Sequence, residues 1–219
     1  MRIYIQTAPN TITVPFNYQH KLVGVLHKWL HNNDLHGNMA LYSFSWLMNA
    51  KTTKNGLEYP SGAKFFISFY NEKYLKRIIK SILSDPEMCY GLSVTDINIQ
   101  EDPDLKDRSS FRCAGPVFIR RFNNEKDIHY TFENREAGAF MKETLLHKMQ
   151  LSGLERDDTL RIEFDISSPY KKTKLIDYRG IKNRVNQCPV IIEGKPETKA
   201  FAWNVGIGNS TGIGFGAIY

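Results

Sequence analysis

The sequence has few cysteines, and their spacing excludes the frameworks on which cysteine-rich proteins depend. Cys89, Cys113 and Cys188 are odd in number, far apart and in no CxxC arrangement. A zinc site or a secreted disulfide scaffold needs paired or closely spaced cysteines, so both are disfavoured. We expect three reduced, buried thiols in a reducing compartment.

Long apolar runs are also missing. No stretch approaches the roughly 18 consecutive apolar residues of a membrane span, and the start of the chain, MRIYIQTAPN, does not resemble a signal peptide. We therefore expect a cytoplasmic protein without a membrane partner. The 219 residues, 42% hydrophobic and 24% charged, suffice for one large or two small globular domains.

The sequence has no complete nucleotide-binding motif. No Gly-Lys-Ser/Thr occurs, which excludes a Walker loop. Residues 212–217, GIGFGA, match the dinucleotide fingerprint G-x-G-x-x-A, but we expect no helix directly after them to hold a pyrophosphate. The five glycines in this region therefore need another explanation; they are Gly206, Gly208, Gly212, Gly214 and Gly216.

Hydrophobic periodicity predicts a β-α-β-β-α-β order twice, which is a tandem ferredoxin-like α+β fold. The strands predicted for the first half are 2–7, 41–47, 63–70 and 92–100, and its helices are 18–30 and a segment capped by Asn71. The elements predicted for the second half are strands 111–122, 128–132, 159–167 and 188–194 and a helix over 135–149. A polar linker at 101–107 divides the chain into domains 1–102 and 108–219.

Two segments near the carboxyl end are harder to assign. Residues 195–205 alternate like a strand, but Pro196 suits a first helical turn and Gly206 a helix C-cap, so we predict a helix. Residues 212–219 alternate between apolar side chains and glycines, which predicts a strand with one bare face. Such a face admits a ligand to main-chain distance; tight sheet packing is the alternative.

Positive charge is concentrated in two runs, although the net charge is only +6. Five cations lie between Lys106 and Arg121 against one anion, Asp107. A second run has six cations against Asp177 and is interleaved with Tyr170 and Tyr178; its cations are Lys171, Lys172, Lys174, Arg179, Lys182 and Arg184. Clustered positive charge is the footprint of a polyanion partner, a solvated surface being the alternative.

Three motifs together resemble the CRISPR-associated endoribonucleases of the RAMP superfamily, which cut CRISPR precursor RNA within its repeats. GIGNSTGIGFG (206–216) is similar to their glycine-rich C-terminal loop, VPFNYQHKLVGVLHKWL (14–30) to their lead into the first helix, and DLHGNMALYSFSWL (34–47) to their Leu-His segment and strand. The resemblance implies an enzyme that binds repeat RNA, needs no metal or cofactor, and works alone, as a homodimer or with other CRISPR effector subunits.

The resemblance also implies catalytic residues. His36 matches the family's Leu-His histidine, and His27 lies where other members have a second proton-transfer residue. We expect His27 to be the base and His36 the acid, with the reverse assignment open, and Tyr42 to reach the same site. The glycines and the 171–184 run would hold RNA, which requires the glycine-rich loop and the histidines to meet in one channel.

Several alternatives stay open. His27 and His31, four residues apart, could hold a metal, although no nearby carboxylate or cysteine completes a set. Where some family members carry a lysine before the strand, this chain has Met39 and Ala40, so the phosphate-stabilising cation must come from elsewhere, for example Lys51 or Lys54. A non-catalytic subunit that binds repeat RNA and a ferredoxin-like module that binds a small molecule are the competing functions.

Overall fold

The first half of the chain forms an antiparallel sheet with two helices on one face. The computed structural model describes residues 1–31, 39–123 and 126–219. The elements of this half are β1 (Arg2–Thr7), α1 (Gln19–Leu30), β2 (Tyr42–Phe44), β3 (Lys51–Thr53), β4 (Gly56–Glu58), β5 (Lys64–Phe69), α2 (Glu72–Ser84) and β6 (Val94–Gln100). The strand order β2-β5-β1-β6, antiparallel throughout, is the ferredoxin-like arrangement predicted.

Local chemistry explains where the two helices of this half begin and end. The Asn71 side chain accepts a hydrogen bond from the Lys73 backbone N–H at 2.9 Å, so it caps α2 as predicted. The helix ends before Asp85-Pro86, where proline disfavours helical geometry in the residue that precedes it. The apolar stripe of α1, with Leu22, Leu26 and Trp29, is buried against the sheet.

The second half repeats the plan less regularly. Its elements are β7 (Ser110–Phe111), β8 (Arg120–Asn123), β9 (Lys126–His129), α3 (Ala137–Leu151), β10 (Arg161–Phe164), β11 (Lys172–Tyr178), β12 (Ile181–Gln187), β13 (Val190–Glu193) and α4 (Pro196–Val205). The sheet order is β10-β13-β7, and the last residues continue it, because Arg112 and Tyr219 exchange backbone hydrogen bonds of 3.0 Å. The tandem ferredoxin-like prediction is confirmed.

The predicted strand over 111–122 is wrong in its middle. Gly115 and Pro116 interrupt it, because Pro116 has no N–H for a ladder and Gly115 packs tightly on the Gly214 carbonyl. The segment between β2 and β5 also differs from the prediction. The sequence predicts only a loop there, whereas the structure has the β3–β4 hairpin. The domain boundaries at 102 and 108 stay a prediction.

The two halves are joined by a buried arginine. The Arg2 guanidinium lies between the rings of Phe66 and Trp203, 3.6 and 3.4 Å from their centroids. It donates to the Ser68 hydroxyl at 2.6 Å and to the carbonyls of Trp203 and Ile218 at 2.8 Å each. One side chain of the first half thus bonds both α4 and the carboxyl-terminal strand, which fixes the halves relative to each other.

The glycine-rich tail is the main departure from the predicted fold. We call residues 206–216 the glycine segment. Instead of a flat strand, it forms a 3-10 turn at Thr211–Ile213 flanked by left-handed residues, with φ of 60° at Ser210 and 93° at Gly214. The alternation of apolar residues has the period of a strand, but positive φ angles break the strand geometry. Only the residues after Gly216 pair as a strand.

In the part of the chain that the structure describes, no helix combines the length and apolarity that crossing a bilayer demands.

Alanine substitutions at two glycines should change stability in opposite directions. At Gly216, φ is +67° and an added Cβ would lie 1.9 Å from the Ile207 carbonyl oxygen. We expect Gly216→Ala to lower the free energy of unfolding by about 1–3 kcal/mol or more. At Gly24, inside α1, an added Cβ meets nothing within 4 Å, so Gly24→Ala should raise it by about 0.5–1 kcal/mol. Urea denaturation checks both, and shifts of the same sign would contradict the packing described here.

Candidate functional site

A cleft of about 610 Å³ separates the two halves and is lined by both. The first half contributes one face of α1, with Gly24 and His27, and the region from Met39 to Tyr42. The second half contributes the middle of the glycine segment, Thr144 and Lys148 of α3, Arg120 of β8 and the tip of the β11–β12 hairpin. Of the two histidines expected to meet the carboxyl-terminal glycines, His27 lines the same cleft as Gly208 and Gly212.

His27 is half-buried on α1, and the absence of a side chain at Gly24 leaves the helix surface beside it open. A ligand can therefore come close to the α1 backbone next to this imidazole. His36, the other predicted catalytic histidine, lies outside the described residues, in 32–38. Its role stays a prediction from the sequence.

Tyr42 supports the glycine segment. Its side chain is buried, and its hydroxyl donates to the Gly212 carbonyl at 3.2 Å. Burial raises the pKa of Tyr42 to about 12, so the phenol is protonated at neutral pH. This geometry favours a positioning role at the cleft wall, with catalytic participation remaining a prediction.

Four of the five glycines serve packing within the protein. Gly206, Gly208, Gly214 and Gly216 are buried with positive φ, and a Cβ on any of them would meet a neighbour at 3.0 Å or less. Gly212 differs in having no positive φ and in being half-buried; like Gly208 it lines the cleft, and a Cβ on it would lie 2.9 Å from the Ala40 Cβ and 3.0 Å from the Tyr42 hydroxyl. The close approach to the glycine backbone that the sequence predicts is therefore made mainly by other residues of the protein itself.

The turn of the glycine segment offers hydrogen-bond donors at the cleft. Ser210, Thr211 and Gly212 line it. Within the described ranges, their backbone N–H groups donate to no acceptor, while the neighbouring N–H groups of Ile213 and Gly214 close the turn. Successive unpaired N–H groups in a turn are suited to binding an anion such as a phosphate.

The basic 171–184 run folds into the β11–β12 hairpin, and its register divides the cations. Lys174 pairs with Val185 on the face that packs inward, and its ammonium lies 5.8 Å from the Trp46 ring centroid. Lys182 pairs with Asp177 on the opposite face. Arg179, at the tip, lines the cleft. The predicted RNA-binding cations therefore do not share one surface.

A second arginine of the cleft comes from β8. Arg120 lines the cleft, and its backbone N–H donates to the Asn209 side chain at 2.8 Å, which fixes the glycine segment to β8. In the described part of the chain, neither Lys51 nor Lys54 reaches the cleft lining. The cations that do are Arg120, Arg179 and Lys148.

Lys148 is the cleft residue that sequence reasoning missed. It lies on α3 and is buried, and its ammonium donates to the Val205 carbonyl at 3.0 Å and the Thr211 hydroxyl at 2.9 Å. A signal was present, because Lys148 is seven residues after Met141 and three after Leu145, on the apolar stripe of the helix.

The remaining histidines lie elsewhere. His129 stacks edge-on against Phe118 and accepts from the Arg184 backbone N–H at 3.2 Å, and His147 is exposed on α3. Among the described residues, no three His, Cys, Asp or Glu side chains come together, so the His27–His31 pair finds no third ligand there.

Comparisons with known proteins agree on one family. The family model for the C-terminal part of the CRISPR-associated protein Cas6 matches residues 99–219. The putative CRISPR-associated endoribonuclease-like protein Cas6 of Pyrococcus furiosus is 24% identical, over 100% of this chain and 98% of its own length. A solved structure of a Cas6-related protein from Pyrococcus furiosus superimposes with a TM-score of 0.86 at 21% identity, covering 100% of this chain and 97% of that one. A RAMP protein described as binding different RNA substrates gives a TM-score of 0.85 at 20% identity, covering 100% and 98%.

Proposed function

The chain belongs to the Cas6 family of CRISPR-associated proteins, and from this membership we propose that it is an endoribonuclease that cleaves CRISPR repeat RNA in the cleft between its two halves. The observation that carries the proposal is the meeting of His27 on α1 with the donor-rich turn of the glycine segment. A proton-transfer group and a phosphate-binding surface then face the same strand of RNA.

The proposed reaction needs no metal. The 2′-OH beside the scissile phosphate loses its proton to a base, its oxygen bonds to phosphorus in line, and the bond to the 5′ oxygen breaks as an acid protonates that oxygen. The products are a 2′,3′-cyclic phosphate and a 5′-OH. We assign His27 as base and His36 as acid, because the free imidazole pKa of about 6.5 suits both roles near neutral pH.

Two sets of groups in the second half support the stabilisation of negative charge on the phosphate. Arg120 and Arg179 supply positive charge at the cleft wall. The N–H groups of Ser210, Thr211 and Gly212 add oriented dipoles. Donors aimed at the charge that develops in the transition state stabilise it without reorganisation. Arg120 and Arg179 thus take the role for which the sequence suggested Lys51 or Lys54.

A non-catalytic subunit that binds repeat RNA is the second candidate. Two observations favour it: His27 is the single imidazole among the cleft-lining residues that the structure describes, and the buried Tyr42 phenol stays protonated at neutral pH. Such a protein would hold RNA by the same cations and donors. The two candidates differ only in whether the bound RNA is cut.

Incubation with the repeat RNA encoded near its own gene, in excess EDTA, separates these functions. We expect cleavage at one position, 5′-OH ends, and 3′ ends that can be extended only after acid has opened the cyclic phosphate and a phosphatase has removed the resulting monoester. Affinity should fall steeply with salt, because phosphate contacts release counterions.

Intact RNA in a tight, salt-sensitive complex would instead establish the non-catalytic candidate. Cleavage that requires added Mg²⁺ would contradict the proposed mechanism. Binding without salt dependence would contradict both RNA functions. Size-exclusion chromatography of the same complex distinguishes a monomer from a homodimer, and co-purification tests for other CRISPR effector subunits.

A further inference from the structure

Lys148 connects α3, the C-terminal end of α4 and the glycine segment through one buried ammonium. The Val205 carbonyl that it binds is at the C-terminal end of α4, where backbone carbonyls lack helical partners and the helix dipole favours a cation. The Thr211 hydroxyl belongs to the donor-rich turn. The Gly206 carbonyl lies 3.5 Å from the same nitrogen.

We infer that Lys148 is a positioning residue that holds the glycine segment in its phosphate-binding conformation, and that it does so as an ammonium. This inference rests on the proposed function, because it takes RNA as the occupant of the cleft. A neutral amine has one N–H fewer and no charge, so it holds the α4 carbonyl and the turn less firmly.

The charge state of the Lys148 side chain depends on its electrostatic surroundings. Burial lowers the pKa of Lys148 from 10.5 to about 7. None of the described cleft-lining residues is an Asp or Glu that could offset this effect. The titratable and charged groups that face the cleft from the other elements are His27 of α1, Tyr42 of β2, Arg120 of β8, and Tyr178 and Arg179 of the hairpin.

A bound phosphate supplies the missing negative charge. It favours the ammonium, so RNA binding and protonation of Lys148 promote each other. The pKa is higher in the complex than in the unbound protein, and RNA affinity therefore falls as pH rises through 7. A difference of one pKa unit between the two states corresponds to an affinity loss of about tenfold from pH 6 to pH 9.

The test measures the affinity of fluorescently labelled repeat RNA from pH 6 to pH 9 at constant ionic strength. Wild type should lose affinity by about tenfold between pH 6 and pH 9, and we call this loss the pH-dependent step. Lys148→Met should bind RNA weakly already at pH 6 and should not show the step. Lys142→Met, the same change on α3 outside the cleft, should keep the step.

If Lys148→Met does not fold, the role of Lys148 is tested on the wild-type protein. Calorimetry of RNA binding at pH 8, in two buffers of different ionisation enthalpy, should show proton uptake by the protein. No uptake, or a step retained in folded Lys148→Met, overturns the role of Lys148 while leaving RNA cleavage intact. A wild type that binds no RNA at any pH overturns the proposed function itself.

Discussion

His27→Ala lowers the single-turnover rate of repeat RNA cleavage by about 10²–10⁴-fold, the range that a positioned proton donor or acceptor contributes. We expect His36→Ala to abolish cutting as well, since the two imidazoles would exchange protons with opposite ends of one phosphodiester. RNA affinity should change little in either variant, because the arginines and backbone donors of the second half remain. Rates from labelled RNA and affinities from gel shifts, measured at one salt concentration, check both parts.

His147→Ala is the matched control. His147 is an exposed histidine of α3 outside the cleft lining, so its loss should leave the cleavage rate at the wild-type value. The double variant His27→Ala/His36→Ala should be about as slow as the slower single one, because groups that act as a unit are not additive. Wild-type cleavage by His27→Ala would remove that histidine from the mechanism.

Arg2→Met lowers the free energy of unfolding by about 3–5 kcal/mol, since it leaves buried hydrogen-bonding groups without partners. The groups left without the guanidinium are the Ser68 hydroxyl and the carbonyls of Trp203 and Ile218. Because Trp203 is in α4 and Ile218 follows the glycine segment, RNA affinity should fall together with stability. Urea denaturation followed by circular dichroism measures the first effect.

Arg2→Lys distinguishes charge from geometry at the same position. A lysine keeps the positive charge but loses the planar fork that donates to several acceptors and stacks between two rings. We expect it to recover only part of the lost stability. A denaturation midpoint of Arg2→Met equal to that of wild type would show that the two halves are held together by other contacts.

The sequence predicts the elements whose signals are local. Residues 195–205 form the predicted helix despite their alternation, because Pro196 starts it and Gly206, with φ of 70°, ends it. The glycine segment differs because its conformation depends on backbone contacts between its own two ends and with Phe118, about 90 positions away. Carbonyls of Ile207, Phe118 and Gly216 occupy the space that a Cβ on its glycines would need. No periodicity within the segment reports those neighbours.

The same limit explains the residues that were missed. Arg2 alternates with inward-facing Ile3 and so has the pattern of a solvent-facing strand residue. It is buried because α4, about 200 positions away, covers the second face of the sheet. Lys148 has the type of a surface cation but the position of a core residue, and only the α4 terminus and Thr211 explain its burial. The family resemblance pointed to His27, whereas these two sites depend on tertiary contacts.

Photo-crosslinking shows whether RNA lies between α1 and the glycine segment. A repeat RNA with a single 4-thiouridine next to the mapped cut is irradiated in complex with the protein, and the attached peptides are identified by mass spectrometry. We expect crosslinks within residues 19–30 and 206–216. Crosslinks confined to other surfaces, such as α2 or the β3–β4 hairpin, would contradict it.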